Sequence, residues 1–509
     1  MRQIEGIDIA ILGAYLIGVI GLGLWVGRKS KTSEQFMAAG RRMPWWAAGL
    51  SIFGTYVSSI TFLALPSKAF SGDWNVFVFS LAIPLAAWVA AKYFVPFYRS
   101  TGALSSYQHL EQRFGPWART YAVACYLLTQ LARMGTIMYL VALALAPLTG
   151  WSVPALILLT GVAVIIYTLV GGMEAVIWTD VIQSIVLIAG SICCVTILAF
   201  GVPGGPEQLF HIAVQHRKFS LGSLDFDLTR STFWVVLMYG IFINLQNFGI
   251  DQSYVQRYHT AKTEAAAKRS VWLGALLYLP VSALFLFIGT GLFAFYTTKP
   301  ELLPQTVAAK PDSVFPHFIA TQLPVGLTGL VIAAVFAAAQ STISSSINCA
   351  ATLLLCDIYK RYFKPDATER QAMRFLWTSS LIVGIAGVGI ALAMMRVKTA
   401  LDAWWALASI FSGGMLGLFL LGQLAKRANA GAAVGGVFVG VVTIAWMSLS
   451  RNLPDSLAPL RNPLHEYTII VIGTLTILLV GAGLSLLSGH RSKDASTEDG
   501  WTIKSGSGA

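Results

Sequence analysis

The chain has 509 residues, of which 56% are hydrophobic and 11% charged, where a soluble domain carries about 25% charged residues. That composition excludes a globular soluble enzyme and fits a chain threaded repeatedly through a bilayer. The net charge of +12 is distributed unevenly between loops, so it calls for no nucleic-acid partner.

Apolar runs of roughly 20 residues, the length that crosses a hydrocarbon core, predict an all-α polytopic membrane protein of about 13 transmembrane helices. The spans lie near 7–27, 45–67, 74–97, 119–148, 152–170, 175–200, 232–250, 271–296, 325–356, 375–395, 402–423, 430–449 and 466–488. The first run is too long for the apolar core of a signal peptide and is retained as a helix. The connections near 201–231 and 297–324 are longer and mix apolar with polar residues, which predicts short surface helices. Residues 1–44 form the first helix and a loop, 45–423 a transport core, and 424–488 two peripheral helices. The polar, Gly/Ser-rich tail 489–509 is expected to be disordered.

Lys and Arg crowd alternate loops in a ratio of roughly two to one, which orients the chain by the positive-inside rule. The loops carrying Arg28 to Arg42, Arg99 to Arg119, Arg257 to Arg269, Lys360 to Arg374 and Lys426-Arg427 are assigned to the cytoplasm. The N-terminus is then outside and the C-terminus inside the plasma (inner) membrane, as an odd number of spans requires. Cys125, Cys193, Cys194, Cys349 and Cys356 all lie in apolar segments without metal-site spacing and read as helix-packing residues.

Two spans look interrupted. The second carries Gly54, Thr55, Ser58, Ser59 and Thr61 near its middle, and the seventh carries Gly240, Asn244, Gln246, Asn247 and Gly249. Unwound backbone is tolerated at membrane depth where it lines a cavity, and its free carbonyls can then hold a cation. The two breaks are five spans apart, which fits inverted repeats over about 45–200 and 232–423.

The ninth span holds the densest chemistry. Ser341, Thr342, Ser344, Ser345 and Ser346 fall within six positions of an apolar segment, and unsatisfied hydroxyls are costly in hydrocarbon. Such a cluster suits a hard monovalent cation, and with Asp180, one of few acids near a span, it points to an ion-coupled carrier. Arg133 sits at mid-span, where a guanidinium needs an anionic partner or a wet cavity. The Asp251-Gln252 and Gln256-Arg257 pairs fit a gate, a helix cap or a ligand contact. A channel would need several subunits or a continuous pore. A membrane enzyme would need paired acids, histidines or a metal set, and the sequence offers none.

Several blocks in order resemble the sodium:solute symporters over nearly the whole chain: Y-T-L-V-G-G-M-E-A-V-I-W-T-D-V-I-Q at 167–183, D-Q-S-Y-V-Q-R-Y at 251–258, A-A-A-Q-S-T-I-S-S-S-I-N-C at 337–349 and S-G-G-M-L-G-L-F-L-L-G at 412–422. S-S-I-T-F at 58–62 and Arg133 are similar to the bacterial sodium-coupled sialic acid transporters in particular. The resemblance implies a leucine-transporter-like fold with two inverted five-helix repeats. It implies a first sodium site at Gly54, Val57, Ala338, Ser341 and Thr342, and a second at Asp180, Ser341, Ser344 and Ser345. It also implies a substrate pocket with Arg133 on a carboxylate, Ser58 and Thr61 beside it, and three departures from the sialic acid group. Tyr56 stands for a threonine, Ser80 for a glutamine and Val76 for a phenylalanine. The expected protein is a monomeric, lipid-embedded symporter that uses Na⁺ and imports a sugar acid such as sialic acid. A neutral sugar, a monocarboxylate or an inorganic anion is the alternative cargo.

Overall fold

A computed structural model describes residues 5–28, 30–396 and 413–487. The described chain is helical, and its sole β element is an isolated bridge between Met43 and Ala261. The membrane-scale elements are α1 (Gly6–Gly27), the bent pair α2 (Trp45–Tyr56) and α3 (Ser59–Ser71), α4 (Phe77–Thr101), α5 (Pro116–Thr149) and α6 (Val153–Gly201). They continue with α7 (Phe233–Ile250), the short α8 (Gln252–Thr260), α9 (Glu264–Thr298), α10 (Leu327–Phe363), α11 (Glu369–Met394), α12 (Gly413–Leu424), α13 (Ala430–Leu449) and α14 (Thr468–Leu487). Among the described residues ten helices are long and apolar enough to cross a membrane, or 11 with the bent pair taken as one span. The expected count of 13 is not reached by that measure. One reason is that α6 combines two expected spans, and another is that residues 402–412, with Trp404-Trp405, lie outside the described residues. So does the tail expected to be disordered. The two longer connections do carry short helices, Gly205–Gln215 and Val314–Gln322. The first lies at the surface as expected, whereas the second is not a surface helix, since Phe315, Phe318 and Ile319 bury it in the core.

Local chemistry explains the breaks. Gly172 interrupts α6 at φ 56°, ψ −151°, in a region that admits little but glycine. A Cβ there would also meet the backbone of Phe36 at 2.7 Å. The break falls between the expected spans 152–170 and 175–200. At the second span, Ser58 leaves helical geometry (ψ 165°) and its hydroxyl accepts from the Thr61 N–H, so a new helix starts with a bend of 55°. The expected interruption inside the seventh span is not found: α7 runs unbroken to Ile250. Its small residues serve close packing instead, Gly240 against Phe79 and Ala82 and Gly249 against Phe94. The chain breaks one residue later, at Asp251 (ψ 121°), and the polar α8 follows, capped by the Asp251 carboxylate at the Ser253 N–H.

The core forms around α10. Its most apolar window is 94% buried, where the windows of the other spans are between 28% and 56% buried, so its hydroxyls face protein on every side and not lipid. It packs against α6, α5 and α1. From α1, the buried Asp8 accepts the N–H groups of Gly326 (2.7 Å) and Gly329 (2.8 Å), satisfying donors at the start of α10. The second half of the bent pair, α3, is gripped by α9, because a Cβ on Gly289 would come within 2.1 Å of the Pro66 carbonyl oxygen. Backbone cannot move aside as a flexible side chain can. The expected result for Gly289→Ala is therefore a loss of at least about 1–3 kcal/mol of stability, the usual range for overpacking, read as a lower melting temperature of the detergent-purified protein.

Candidate functional site

The bend between α2 and α3 leaves carbonyls exposed. The last carbonyls of any helix lack intrahelical partners. In α2 the Phe53 carbonyl accepts from Val57, while the Thr61 N–H that would reach the Val57 carbonyl goes to the Ser58 hydroxyl instead. The Gly54 and Val57 carbonyls are thus available to a cation. Across from them lies α10. A Cβ on Gly54 would sit 2.9 Å from Ser341 Oγ and 3.4 Å from Ser184 Oγ. Thr342 lies one residue further along α10, its hydroxyl turned back to the Ala338 carbonyl at 3.3 Å. The structure thus brings Gly54 to Ser341, with Thr342 and Ala338 close by on α10.

Asp180, on α6, is fully buried. Its Oδ1 accepts from Ser341 Oγ (2.6 Å), and its Oδ2 accepts from Ser51 Oγ (2.5 Å) and from the Arg257 guanidinium (3.1 Å). Ser341 therefore links the two candidate ion sites. Ser345 joins the second through Arg257, whose Nη2 donates to its hydroxyl at 2.7 Å. Ser344 bonds neither Asp180 nor Arg257, and its hydroxyl donates to the Ser341 carbonyl at 3.1 Å.

Three participants were not among the expected ligands. Arg257, counted among the loop charges and given with Gln256 as a gate, a cap or a ligand contact, is wholly buried and forms an ion pair with Asp180. It also donates to Ser51 Oγ (2.7 Å) and to the Ser253 carbonyl. Ser51 lies one helical turn before Gly54 and Thr55, on the same face, and that spacing was a readable signal. Asn244 accepts from the Tyr56 hydroxyl, and its amide nitrogen reaches the Phe79 carbonyl at 3.4 Å.

The candidate substrate residues surround the bend less closely. Arg133, half-buried on α5, points at it and donates to the Thr55 carbonyl at 3.5 Å, the only hydrogen bond it makes among the described residues. Its charge also acts on Asp251. Ser58 and Thr61 face one another at 3.2 Å across the first turn of α3. Tyr56 is 7% exposed and packs among Phe248, Tyr254 and Tyr278 with ring centroids 5.6, 5.1 and 5.1 Å away. Ser80 is buried and Val76 half-buried at the start of α4, and neither bonds the other pocket residues.

An oxygen-rich, partly anionic cluster beside a broken helix, enclosed in a helical bundle, defines an ion-coupled membrane carrier. The family model for the sodium:solute symporter family matches residues 36–440. The chain is 36% identical to the sodium/sialic acid symporter NanT of Aliivibrio fischeri, over 92% of this chain and 91% of that protein. It is 35% identical to the sodium/sialic acid symporter SiaT of Proteus mirabilis, over 93% and 94%. Its fold is similar to that of a Na⁺-coupled sialic acid symporter solved in a substrate-bound outward-open state, with TM-score 0.88, 34% identity, and 95% and 98% of the two chains covered. The chain belongs to the sodium:solute symporter family, and it has the leucine-transporter-like fold of that group. It is a sodium-coupled transporter and not an enzyme.

Proposed function

We propose that the protein imports a carboxylated sugar of the sialic acid class, driven by two sodium ions. One ion is held by the Gly54, Val57 and Ala338 carbonyls with the Ser341 and Thr342 hydroxyls. The other is held by Asp180 with Ser341, Ser344 and Ser345. Ser344 would turn from its own helix's carbonyl to complete that set. The substrate carboxylate lies on Arg133, with Ser58, Thr61, Tyr56, Ser80 and Val76 around the remainder. The carrier works as a monomer, in two inverted repeats, with the basic loops facing the cytoplasm. Ions entering from outside complete the substrate site, and the loaded protein then opens inward.

The observation that carries this reading is Arg133. A guanidinium has five donors, and this one makes a single long hydrogen bond to a carbonyl, at the bend where substrate and ions would meet. A planar fork of donors at membrane depth suits bidentate capture of a carboxylate. Tyr56 favours a second reading, in which the cargo is a more compact carboxylate. Its ring occupies space beside the bend, and its hydroxyl is bound to Asn244. Uptake into proteoliposomes separates the two. Accumulation of labelled N-acetylneuraminate under an inward sodium gradient, absent when choline replaces sodium, supports the first. Sodium-driven uptake of a short monocarboxylate that excess sialic acid fails to inhibit supports the second.

A further inference from the structure

A single nitrogen of Arg257 lies between two proposed ligands of the second ion. Its Nη2 is 3.1 Å from Asp180 Oδ2 and 2.7 Å from Ser345 Oγ, the place a cation shared by those oxygens would take. The rest of the guanidinium is held just as closely, by Ser51 Oγ at 2.7 Å and by the Ser253 carbonyl. The side chain is wholly buried, as is Asp180. Two positive charges at one carboxylate in a dry interior repel strongly, so the guanidinium and a sodium ion are alternatives there. Arg257 sits on α8, a nine-residue helix separated from α7 and from α9 by the extended residues Asp251 (ψ 121°) and Ala261 (ψ 148°).

A symporter that has released its cargo inside must return empty. A bare carboxylate in this core would make that step expensive, because an unpaired buried charge has lost its hydration without compensation. We propose that Arg257 is a tethered cation that replaces the second sodium ion at Asp180 whenever the carrier returns unloaded. The idea rests on Asp180 being a sodium ligand. It gives Arg257 a part in the transport cycle without contact to the substrate, as a residue that positions and neutralises Asp180. Entry of sodium displaces the guanidinium, and loss of sodium lets it swing back, so the buried carboxylate always has a positive partner.

The test compares net uptake with exchange in proteoliposomes of the full-length protein, using sodium and whichever of the two carboxylates the protein accumulates. Exchange shuttles only the loaded carrier, whereas net uptake needs the empty return. Arg257→Gln is expected to lower net uptake about tenfold relative to exchange, and to tighten sodium binding by a similar factor, since a competitor has gone. Both lie within the usual range of coupling between sites. Arg257→Lys retains the charge and is expected to restore part of the ratio. Should Arg257→Gln fold poorly, the neutral pair Asp180→Asn/Arg257→Gln removes both charges. It is expected to recover the ratio of net uptake to exchange with one sodium ion fewer per cycle. The proposal is overturned if Arg257→Gln lowers exchange and net uptake equally, or leaves sodium affinity unchanged while Asp180→Asn weakens it. If Asp180→Asn itself has no effect on sodium affinity, the assignment of the ion site is what fails.

Discussion

Asp180→Asn is expected to turn a voltage-driven transporter into one indifferent to membrane potential. In the proposed cycle two sodium ions and one monoanionic substrate carry one net positive charge inward, and the carrier's own charges cancel over a complete turn. Without the carboxylate, the second ion loses the only anionic ligand in its cluster. One sodium ion with one carboxylate is electroneutral. At 100 mV, inside negative, each charge moved is worth about 2.3 kcal/mol, which is roughly fifty-fold in accumulation when every 1.4 kcal/mol is tenfold. The measurement imposes a potassium diffusion potential across proteoliposomes with valinomycin. Wild-type uptake should rise with inside-negative potential and depend on sodium with a slope above one. The variant should show neither. Its stability should also fall by about 3–5 kcal/mol, the cost of stripping one partner from a buried ion pair, since Arg257 would then face a neutral amide. Asp180→Asn/Arg257→Gln separates the two effects, because the stranded guanidinium is gone while the ion site remains uncharged. Voltage dependence and sodium cooperativity equal to wild type would mean that Asp180 serves only to hold Arg257.

What could be read from the string of residues was the chemistry that acts locally. The bend after Tyr56 follows from glycine and hydroxyl residues in a row, with Ser58 able to cap a new helix. The crowd of hydroxyls on α10 is improbable for a lipid-facing surface, and α10 is the most buried span. Pairings across the fold were not readable in this way. Hydropathy assigns a charge to the segment that carries it, so Arg257 counts with the loop charges and its role as gate, cap or ligand contact stays open in the sequence, because its partner lies 77 positions away on another helix. The second break was displaced for a related reason. Gly240 and Gly249 resemble a site of unwinding in sequence, but a glycine in a helix equally serves close approach, and only the neighbours Phe79 and Phe94 decide between them. Adjacent serines pose the same problem on a finer scale. Ser344 and Ser345 are separated by one residue step around a helix of 3.6 residues per turn, which is enough to send one hydroxyl back to its own backbone and the other to Arg257.

Arg133→Ala is expected to abolish uptake of any carboxylated substrate while sparing the ions. The side chain extends from α5 to the bend and makes one hydrogen bond, at 3.5 Å, to the Thr55 carbonyl. Most of its donors are therefore available to a ligand. Truncating one member of a buried, charge-assisted pair costs about 2–5 kcal/mol of binding, or a loss of affinity of at least about thirtyfold. The proposed sodium ligands are other groups, namely the α2 carbonyls, the α10 hydroxyls and Asp180. Isothermal titration should therefore find sodium binding little changed and sialic acid binding lost. Arg133→Lys is a sharper probe, since it keeps the charge but removes the planar fork. A carboxylate gripped by both terminal nitrogens should be weakened by lysine nearly as much as by alanine, whereas one held by charge alone should be largely retained. Asp251 supplies the control. Arg133 also acts on that carboxylate, and if its task were only to balance that charge, Asp251→Asn/Arg133→Ala would transport as well as wild type. A substrate anchor predicts the opposite: neutralising Asp251 returns nothing, because the anion that Arg133 serves arrives with the cargo.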